Sequence, residues 1–266
     1  MNTTIIGTGN LGSSIAKGLI SSDQADTLYL TKRTVGKLQD YNEFQQVVVT
    51  TDNVHSVENS EIIILTVQPR HLESVLKEIA PALTDKHLII SGVAGYSISK
   101  IEEFIGVNQA IIRAMPNIAI AVGKSMTCLC ANAKANDKIL LAERIFKELG
   151  HTLIIPEEQM QAATVVCASG IAFWMRLIRA TTQAAIQLGF EAKEAQELAL
   201  FTSHGATSLL INSGRHPEEE IDKVTTPKGC TIEGLNEMEH KGLSSSLIQG
   251  MVASFSKIST LGNLED

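Results

Sequence analysis

Ile5-Ile6-Gly7-Thr8-Gly9-Asn10-Leu11-Gly12 decides the architecture of the first half of this chain. It is a Gly-x-Gly-x-x-Gly that follows a short β-branched run, Thr3–Gly7, and opens a helix-periodic segment, Leu11–Ile20. Gly7 permits a tight turn, Gly9 lets backbone approach a pyrophosphate, and Gly12 lets helix and strand pack closely. A glycine-rich turn without a ligand meets the same spacing. Its place in a strand–turn–helix unit predicts a dinucleotide site, with Thr8, Asn10 and Leu11 in the same loop.

Outward from that motif, short apolar runs alternate with helical patterns. Strands are expected at Thr27–Thr31, Val47–Thr50, Glu61–Val67, His87–Ser91 and Ala110–Arg113, and helices at Leu72–Ala80 and Ile98–Phe104. Continuous β-branched runs are the signature of strands buried on both faces of a parallel sheet. Alternation with helices makes it an open α/β sheet. The segment 37–46 is polar and carries no pattern. After Pro156 the strand patterns stop. A long Ala-rich helical stretch, Glu157–Gly189, is followed by helices at Ala192–Ser213 and Thr231–Leu261, with Glu218-Glu219-Glu220 as a solvated helix start after Pro217. The expected organisation is an α/β domain over 1–156 and an all-helical domain over 157–266.

The second strand bears on which nucleotide is held. An acid at its end would bond a ribose 2′-OH. Here Leu28-Tyr29-Leu30 runs into Thr31-Lys32-Arg33-Thr34. Lys32 and Arg33 attract a 2′-phosphate, so NADP is favoured over NAD, with NADH as the alternative donor. A solvated pair of surface cations is the plainer reading. Ligands of open α/β sheets lie beyond the carboxyl ends of the strands. This adds Asn53, the run Val67-Gln68-Pro69, Ala94 and Gly95 of Val93-Ala94-Gly95, and Asn117 of Arg113-Ala114-Met115-Pro116-Asn117.

Composition limits the alternatives. Of the 266 residues 44 % are apolar and 19 % charged, with a net charge of −7. An acidic chain lacks the basic footprint of a nucleic-acid binder. No apolar run suggests a membrane span, and Met1-Asn2-Thr3-Thr4 lacks the basic start of a signal peptide. Cys128, Cys130, Cys167 and Cys230 fit neither zinc nor disulfide spacing, so reduced thiols and a cytoplasmic location are expected, with no metal. The histidines, among them His71 and His87, show no ligand spacing and are taken as structural. Trp174, Met175, Arg176 and Arg179 fall on a helix, as core or interface residues.

Near the other end stands Val224-Thr225-Thr226-Pro227-Lys228-Gly229-Cys230-Thr231. Proline and glycine break the chain between two helical patterns and expose amides at a helix N-terminus, where an anion is readily held. Thr231 is also a good helix cap.

Together, the Rossmann-type first domain, Arg113-Ala114-Met115-Pro116-Asn117, Ser91-Gly92-Val93-Ala94-Gly95, Ala168-Ser169-Gly170 and the Val224–Thr231 turn resemble the pyrroline-5-carboxylate reductase family over nearly the whole chain. The resemblance implies reduction of a cyclic imine carboxylate to proline by NADPH or NADH, and a homodimer or larger homo-oligomer built through the helical domains. It further implies that Thr226 and the amides of Gly229, Cys230 and Thr231 hold the substrate carboxylate. The Thr231 hydroxyl would then lie against the ring nitrogen as the catalytic residue, orienting rather than protonating it. The nicotinamide cofactor supplies the hard chemistry.

The chain departs from the family's pattern at several positions. Lys228 replaces a glycine whose place in the turn calls for φ > 0. Cys230 stands for Thr or Ala, Ile171 and Phe173 for Pro and Tyr, Ala119 for Pro, Gln68 for Lys, and Arg179 for an acid. These leave open a reductase of a different cyclic imine carboxylate, or a non-catalytic NADP-binding sensor of the same fold. The related 3-hydroxyacid dehydrogenases carry a lysine early in the long helix. Here Arg176 and Arg179 occupy that stretch, which counts against them.

Overall fold

A computed structural model describes residues 1–261. Its first part is one eight-stranded sheet in the order β3-β2-β1-β4-β5-β6-β7-β8. The strands are β1 (Asn2–Ile6), β2 (Thr27–Thr31), β3 (Val47–Thr50), β4 (Ile62–Leu65), β5 (Leu88–Ser91), β6 (Ala110–Met115), β7 (Ser125–Ala131) and β8 (Gly150–Ile154). Every pairing is parallel except β6 with β7. Between them run α1 (Asn10–Ser21), α2 (Asn53–Glu58), α3 (Pro69–Ile79), α4 (Ile98–Ile105) and α5 (Ile139–Lys147).

Side chains of a strand alternate between faces, and both faces here are covered. Ile5, Ile62, Ile64, Leu88, Ile90 and Ile112 pack on one side with α1 and α5, around Leu19, Ala142 and Phe146. Ile6, Ile63, Leu65, Ile89 and Ile111 pack on the other around Leu72, Leu76, Ile79 and Ile101. That double burial explains why the strands read as unbroken apolar runs. The expected strands and helices of the first half are all present, with ends shifted by up to three residues. The 37–46 segment, which showed no pattern, lies mostly in a 3₁₀ stretch, Val35–Glu43.

α2, β7, α5 and β8 were not expected. β7 carries buried Ser125 and Thr127, whose hydroxyls bond each other at 3.0 Å. A strand with satisfied polar groups inside has no apolar signature.

The helical part differs from expectation in its breaks. Glu157–Gly189 is not one helix. A 3₁₀ turn at Glu157–Gln159, α6 (Met160–Ala163) and a π-helical turn at Thr164–Ser169 precede α7 (Gly170–Gln187). Then come α8 (Ala192–Ser213), α9 (Pro217–Val224), α10 (Cys230–His240) and α11 (Leu243–Leu261). The expected helix Thr231–Leu261 is divided between α10 and α11 at Gly242, where φ is 81°.

Two compact units result: residues up to Ser169 together with the chain from Phe255, and Gly170–Ser254. The stretch just after Pro156 packs with the sheet, since Met160 and Val165 are fully buried and Met160 belongs to the second core cluster. By length and composition the Glu157–Gln187 helical run is apolar enough to cross a membrane, contrary to the reading that no such run exists.

Within Gly170–Ser254 only Gly170, Ala195 and Ala199 are buried. Leu198, Phe201 and Leu209 form a stripe at i, i+3 and i+11 on α8, and all three are exposed, Phe201 by 68 %. A helical unit with so few buried side chains cannot be stabilised by its own core.

Candidate functional site

The carboxyl ends of the parallel strands line up. Ile6 pairs with Thr31 and Leu65, Leu65 with Ser91, and Ser91 with Arg113. The register therefore places Gly7, Lys32, Val67, Ala94 and Asn117 along one edge of the sheet.

The glycine turn is built for close approach. Gly7 has φ +91°, and a Cβ on it would lie 2.5 Å from Val67 Cγ1 and 2.8 Å from the Val67 nitrogen. A Cβ on Gly12 would meet Thr66 Oγ1 at 2.7 Å. Gly9 is different. A Cβ there would meet only the Gly7 carbonyl oxygen, at 3.8 Å, so its outer face is open. Gly9 caps α1 with no side-chain hydrogen bond. The first amides of α1, from Asn10 and Leu11 on, thus lack intrahelical acceptors and are oriented for an anion. Thr66, which the sequence reading passed over, donates to the Gly7 carbonyl at 3.1 Å and holds the turn.

The side chains of several expected cofactor residues are bonded to the scaffold. Thr8 is fully buried, and its hydroxyl donates to the Thr31 carbonyl at 3.2 Å. Asn53 Oδ1 accepts from Thr31 Oγ1 at 2.6 Å, and Asn53 Nδ2 donates to both Glu78 oxygens at 3.2 and 3.1 Å. Asn117 Oδ1 accepts from the Ala119 amide at 3.0 Å, and its Nδ2 donates to the Cys167 carbonyl at 3.2 Å. Asn117 thereby fastens the end of β6 to the π-helical turn, a distortion common at functional sites. Gln68 caps α3 with no side-chain bond, with Pro69 at its first position. Ala94 is exposed, and nothing lies within 4 Å of a Cβ built on exposed Gly95, whose φ is +84°.

Lys32 is half-buried and Arg33 exposed. Arg33 Nη2 stands 3.4 Å from His71 Nε2. The sequence reading set His71 aside. Its only signal was a position two residues past Pro69, which no spacing rule links to Arg33.

At the far end of β6, buried Arg113 pairs through Nη1 with Glu157 Oε1 at 2.8 Å, and the Ile98 amide donates to the same oxygen at 2.7 Å. A lone arginine in an otherwise apolar strand was the available sign that an acid must meet it. Beside the π turn, Cys128 Sγ and Cys167 Sγ are 4.0 Å apart. The shared hydrogen bond lowers the Cys167 thiol to about 7, while the same bond and burial push Cys128 up.

Within the helical unit, the turn between α9 and α10 is a second candidate site. The Gly229 amide donates to the Thr226 carbonyl at 2.9 Å. That amide is spent inside the turn, which corrects the expectation that it faces a ligand. Lys228 has φ 59°, the left-handed conformation that the glycine pattern implied. A Cβ on Gly229 would lie 2.4 Å from Thr226 Oγ1, so a side chain there would have to displace that hydroxyl. Gly229 caps α10 with no side-chain bond. The amides of Cys230 and Thr231 therefore begin a helix with no acceptor of their own, beside an exposed Thr226 and a half-buried Thr231. This turn can hold a carboxylate and present a hydroxyl next to it.

Known proteins resemble this chain over both of its parts. Residues 157–261 match the family model described as pyrroline-5-carboxylate reductase dimerisation, and residues 2–95 one described as NADP oxidoreductase, coenzyme F420-dependent. The chain is 43 % identical to pyrroline-5-carboxylate reductase 1 of Dictyostelium discoideum over 97 % of its own length and 49 % of that protein, so it spans about half of that relative. It is 38 % identical to pyrroline-5-carboxylate reductase 2 of the same organism, over 97 % of this chain and 92 % of that one. The solved structure of a pyrroline-5-carboxylate reductase from Coxiella burnetii superposes with a TM-score of 0.92 at 29 % identity, covering 98 % of each chain. The chain belongs to the pyrroline-5-carboxylate reductase family.

Proposed function

We propose that this protein reduces 1-pyrroline-5-carboxylate to L-proline, with NADPH as the preferred donor. The observation that carries the reading is the α10 N-terminus. Two amides without acceptors, at Cys230 and Thr231, adjoin two threonine hydroxyls in a turn closed at Gly229, where a Cβ would press on the Thr226 hydroxyl. That is a grip for one carboxylate with a hydrogen-bonding group beside it.

The residues at the β1–α1 turn fit a dinucleotide. The open face of Gly9 and the uncapped first turn of α1 suit a pyrophosphate, and Lys32 and Arg33 suit a 2′-phosphate. Ala94 and Gly95 leave room for a flat ring. When bound, NADPH supplies the hydride. The chain's own part is binding and orientation, which account for most of the rate in such a reaction. The carboxylate is held by the Cys230 and Thr231 amides and by Thr226. The imine nitrogen, better as an acceptor when protonated, is oriented by the Thr231 hydroxyl, which is too weak an acid to deliver the proton itself. In this reading residues 1–156 hold the cofactor, and 157–266 bind substrate and dimerise.

The partner is a second copy of the chain. The uncovered stripe of α8 and the exposed apolar faces of α7 and α11 supply the buried surface that a lone helical unit lacks. The same demand explains an apolar Glu157–Gln187 run without a bilayer. In this reading the dimer works in the cytoplasm on a small-molecule substrate and needs neither nucleic acid nor membrane.

The test is NADPH oxidation with added pyrroline-5-carboxylate, against pyrroline-2-carboxylate and no substrate. Turnover with the first, and a Thr231→Ala variant that loses kcat while NADPH affinity stays within about twofold, are the expected results. Tight NADPH binding without turnover on either imine would overturn the enzyme reading and leave a nucleotide sensor.

A further inference from the structure

A basic cluster forms where β2 ends and α3 begins. Arg33 follows β2, Arg70 and His71 lie in the first turn of α3, and Arg33 Nη2 reaches to 3.4 Å from His71 Nε2. An arginine N–H aimed at an imidazole nitrogen requires that nitrogen to accept, so His71 is neutral with its proton on Nδ1. The position just past β2 is where this fold meets the ribose 2′ substituent.

We propose that His71 is part of the 2′-phosphate site and takes up a proton when a 2′-phosphorylated dinucleotide binds, so that the preference for NADPH over NADH strengthens as pH falls. The inference rests on the NADPH reading above.

The charges bearing on His71 in the free protein are cationic. Desolvation first, then Arg33 and Arg70, hold its pKa below the ordinary histidine value. On its own helix Glu73 is committed to Lys77 and Glu78 to Asn53. The elements packed against α3 contribute His55 and Glu58 from α2 and Lys100, Glu102 and Glu103 from α4. None of these charges on α2 or α4 figures among the influences on His71.

A phosphate dianion reverses the local field. Arg33 is drawn from the imidazole to the phosphate oxygens, and Nε2, freed of its donor, gains a proton from solvent and becomes a donor itself. NADH lacks the dianion and leaves His71 neutral. The sign follows from linkage. A group whose pKa is higher in the complex than in the free protein makes binding tighter as pH drops toward the bound-state value. The phosphate's own second ionisation, near ~6, lies below the window that matters and is common to every variant compared.

The experiment is calorimetric titration of NADPH and NADH into the intact protein at pH 8.5, 7.5 and 6.5, for the parent and for His71→Gln. The parent's ratio of NADH to NADPH Kd should rise roughly three- to tenfold from pH 8.5 to 6.5, the equivalent of up to about one unit of pKa shift. NADPH, and not NADH, should show heats that depend on buffer ionisation, reporting proton uptake. In His71→Gln both the pH dependence and the proton uptake should disappear while NADH affinity is unchanged. A ratio above one but constant with pH in the parent, or an equal pH dependence in His71→Gln, overturns the role of His71 and leaves the NADPH preference standing. A ratio near one at every pH overturns the NADPH preference itself.

Discussion

Replacing Lys228 with glycine should stabilise this protein, against the general tendency of glycine to destabilise. Lys228 stands at φ 59° in the turn ahead of α10. An L-residue there brings its Cβ against the following carbonyl, at about 1–2 kcal/mol. Glycine removes that strain but gains freedom in the unfolded chain, costing roughly 0.5–1 kcal/mol. The difference is a net gain of up to about 1.5 kcal/mol, centred on about 0.75 kcal/mol, or about 1.5–3 °C in Tm for a chain of this size. The assay is thermal unfolding at one fixed protomer concentration, because an oligomer's Tm moves with concentration. Lys228→Ala is the control, since it removes the same exposed ammonium and keeps a Cβ in the left-handed region. A Tm for Lys228→Gly equal to or below that of Lys228→Ala would refute the backbone argument. The same pair separates charge from strain at the site. An exposed ammonium near a carboxylate is worth at most about 1 kcal/mol. If it assists binding, KM for pyrroline-5-carboxylate rises in both variants alike and by no more than about fivefold.

His87 is buried, and its Nδ1 accepts from the Thr84 amide at 2.8 Å; burial chiefly lowers its pKa. The folded state then binds fewer protons than the unfolded one, so this contribution is present above pH ~6.5 and is lost as pH falls through the folded-state value. Urea midpoints measured from pH 7.5 to 5 should fall less steeply in His87→Gln than in the parent; identical slopes would exclude the effect. Cys167, held near 7 by its bond with Cys128, should be alkylated by iodoacetamide at pH 7 well before Cys128, in a Cys230→Ser background that removes the exposed thiol. Cys128→Ala should slow that alkylation by removing the bond, and an unchanged rate would contradict the assignment. Phe201→Glu on the exposed stripe of α8 should weaken the dimer by roughly a hundredfold or more in sedimentation, because each copy buries about one aromatic side chain's worth of apolar surface. An unaffected dimer would place the interface elsewhere.

What was legible in the chain depended on how local its cause was. Ile62–Leu65 and Leu88–Ser91 are visible as strands because both their faces are covered, so every position is apolar. Gly7 and Gly12 are visible because the clash each avoids, with Val67 and Thr66, follows from one conserved geometry of strand, turn and helix. β7 was invisible because Ser125 and Thr127 satisfy each other inside the sheet. The π turn at Thr164–Ser169 was invisible because its residues suit an α-helix equally well. What sets it apart is the Cys167 carbonyl accepting from Asn117, fifty residues upstream.

The same distinction sorts the site. Thr8 was read from the glycine loop and Asn53 and Asn117 from their places after strands, but their polar atoms are engaged by Thr31, Glu78, Ala119 and Cys167. Position along a strand end is encoded locally; whether a side chain is spent on the scaffold is decided by partners distant in sequence. The helical unit carries this furthest. Leu198, Phe201 and Leu209 have the spacing of a core stripe and no core beneath them. Period and composition specify that an apolar face will be covered, and they say nothing about which chain covers it. A stripe apolar enough for burial, on a unit (Gly170–Ser254) whose only buried residues are Gly170, Ala195 and Ala199, fits the match of these helices to a dimerisation family model: the missing half of that core has to come from outside the single chain.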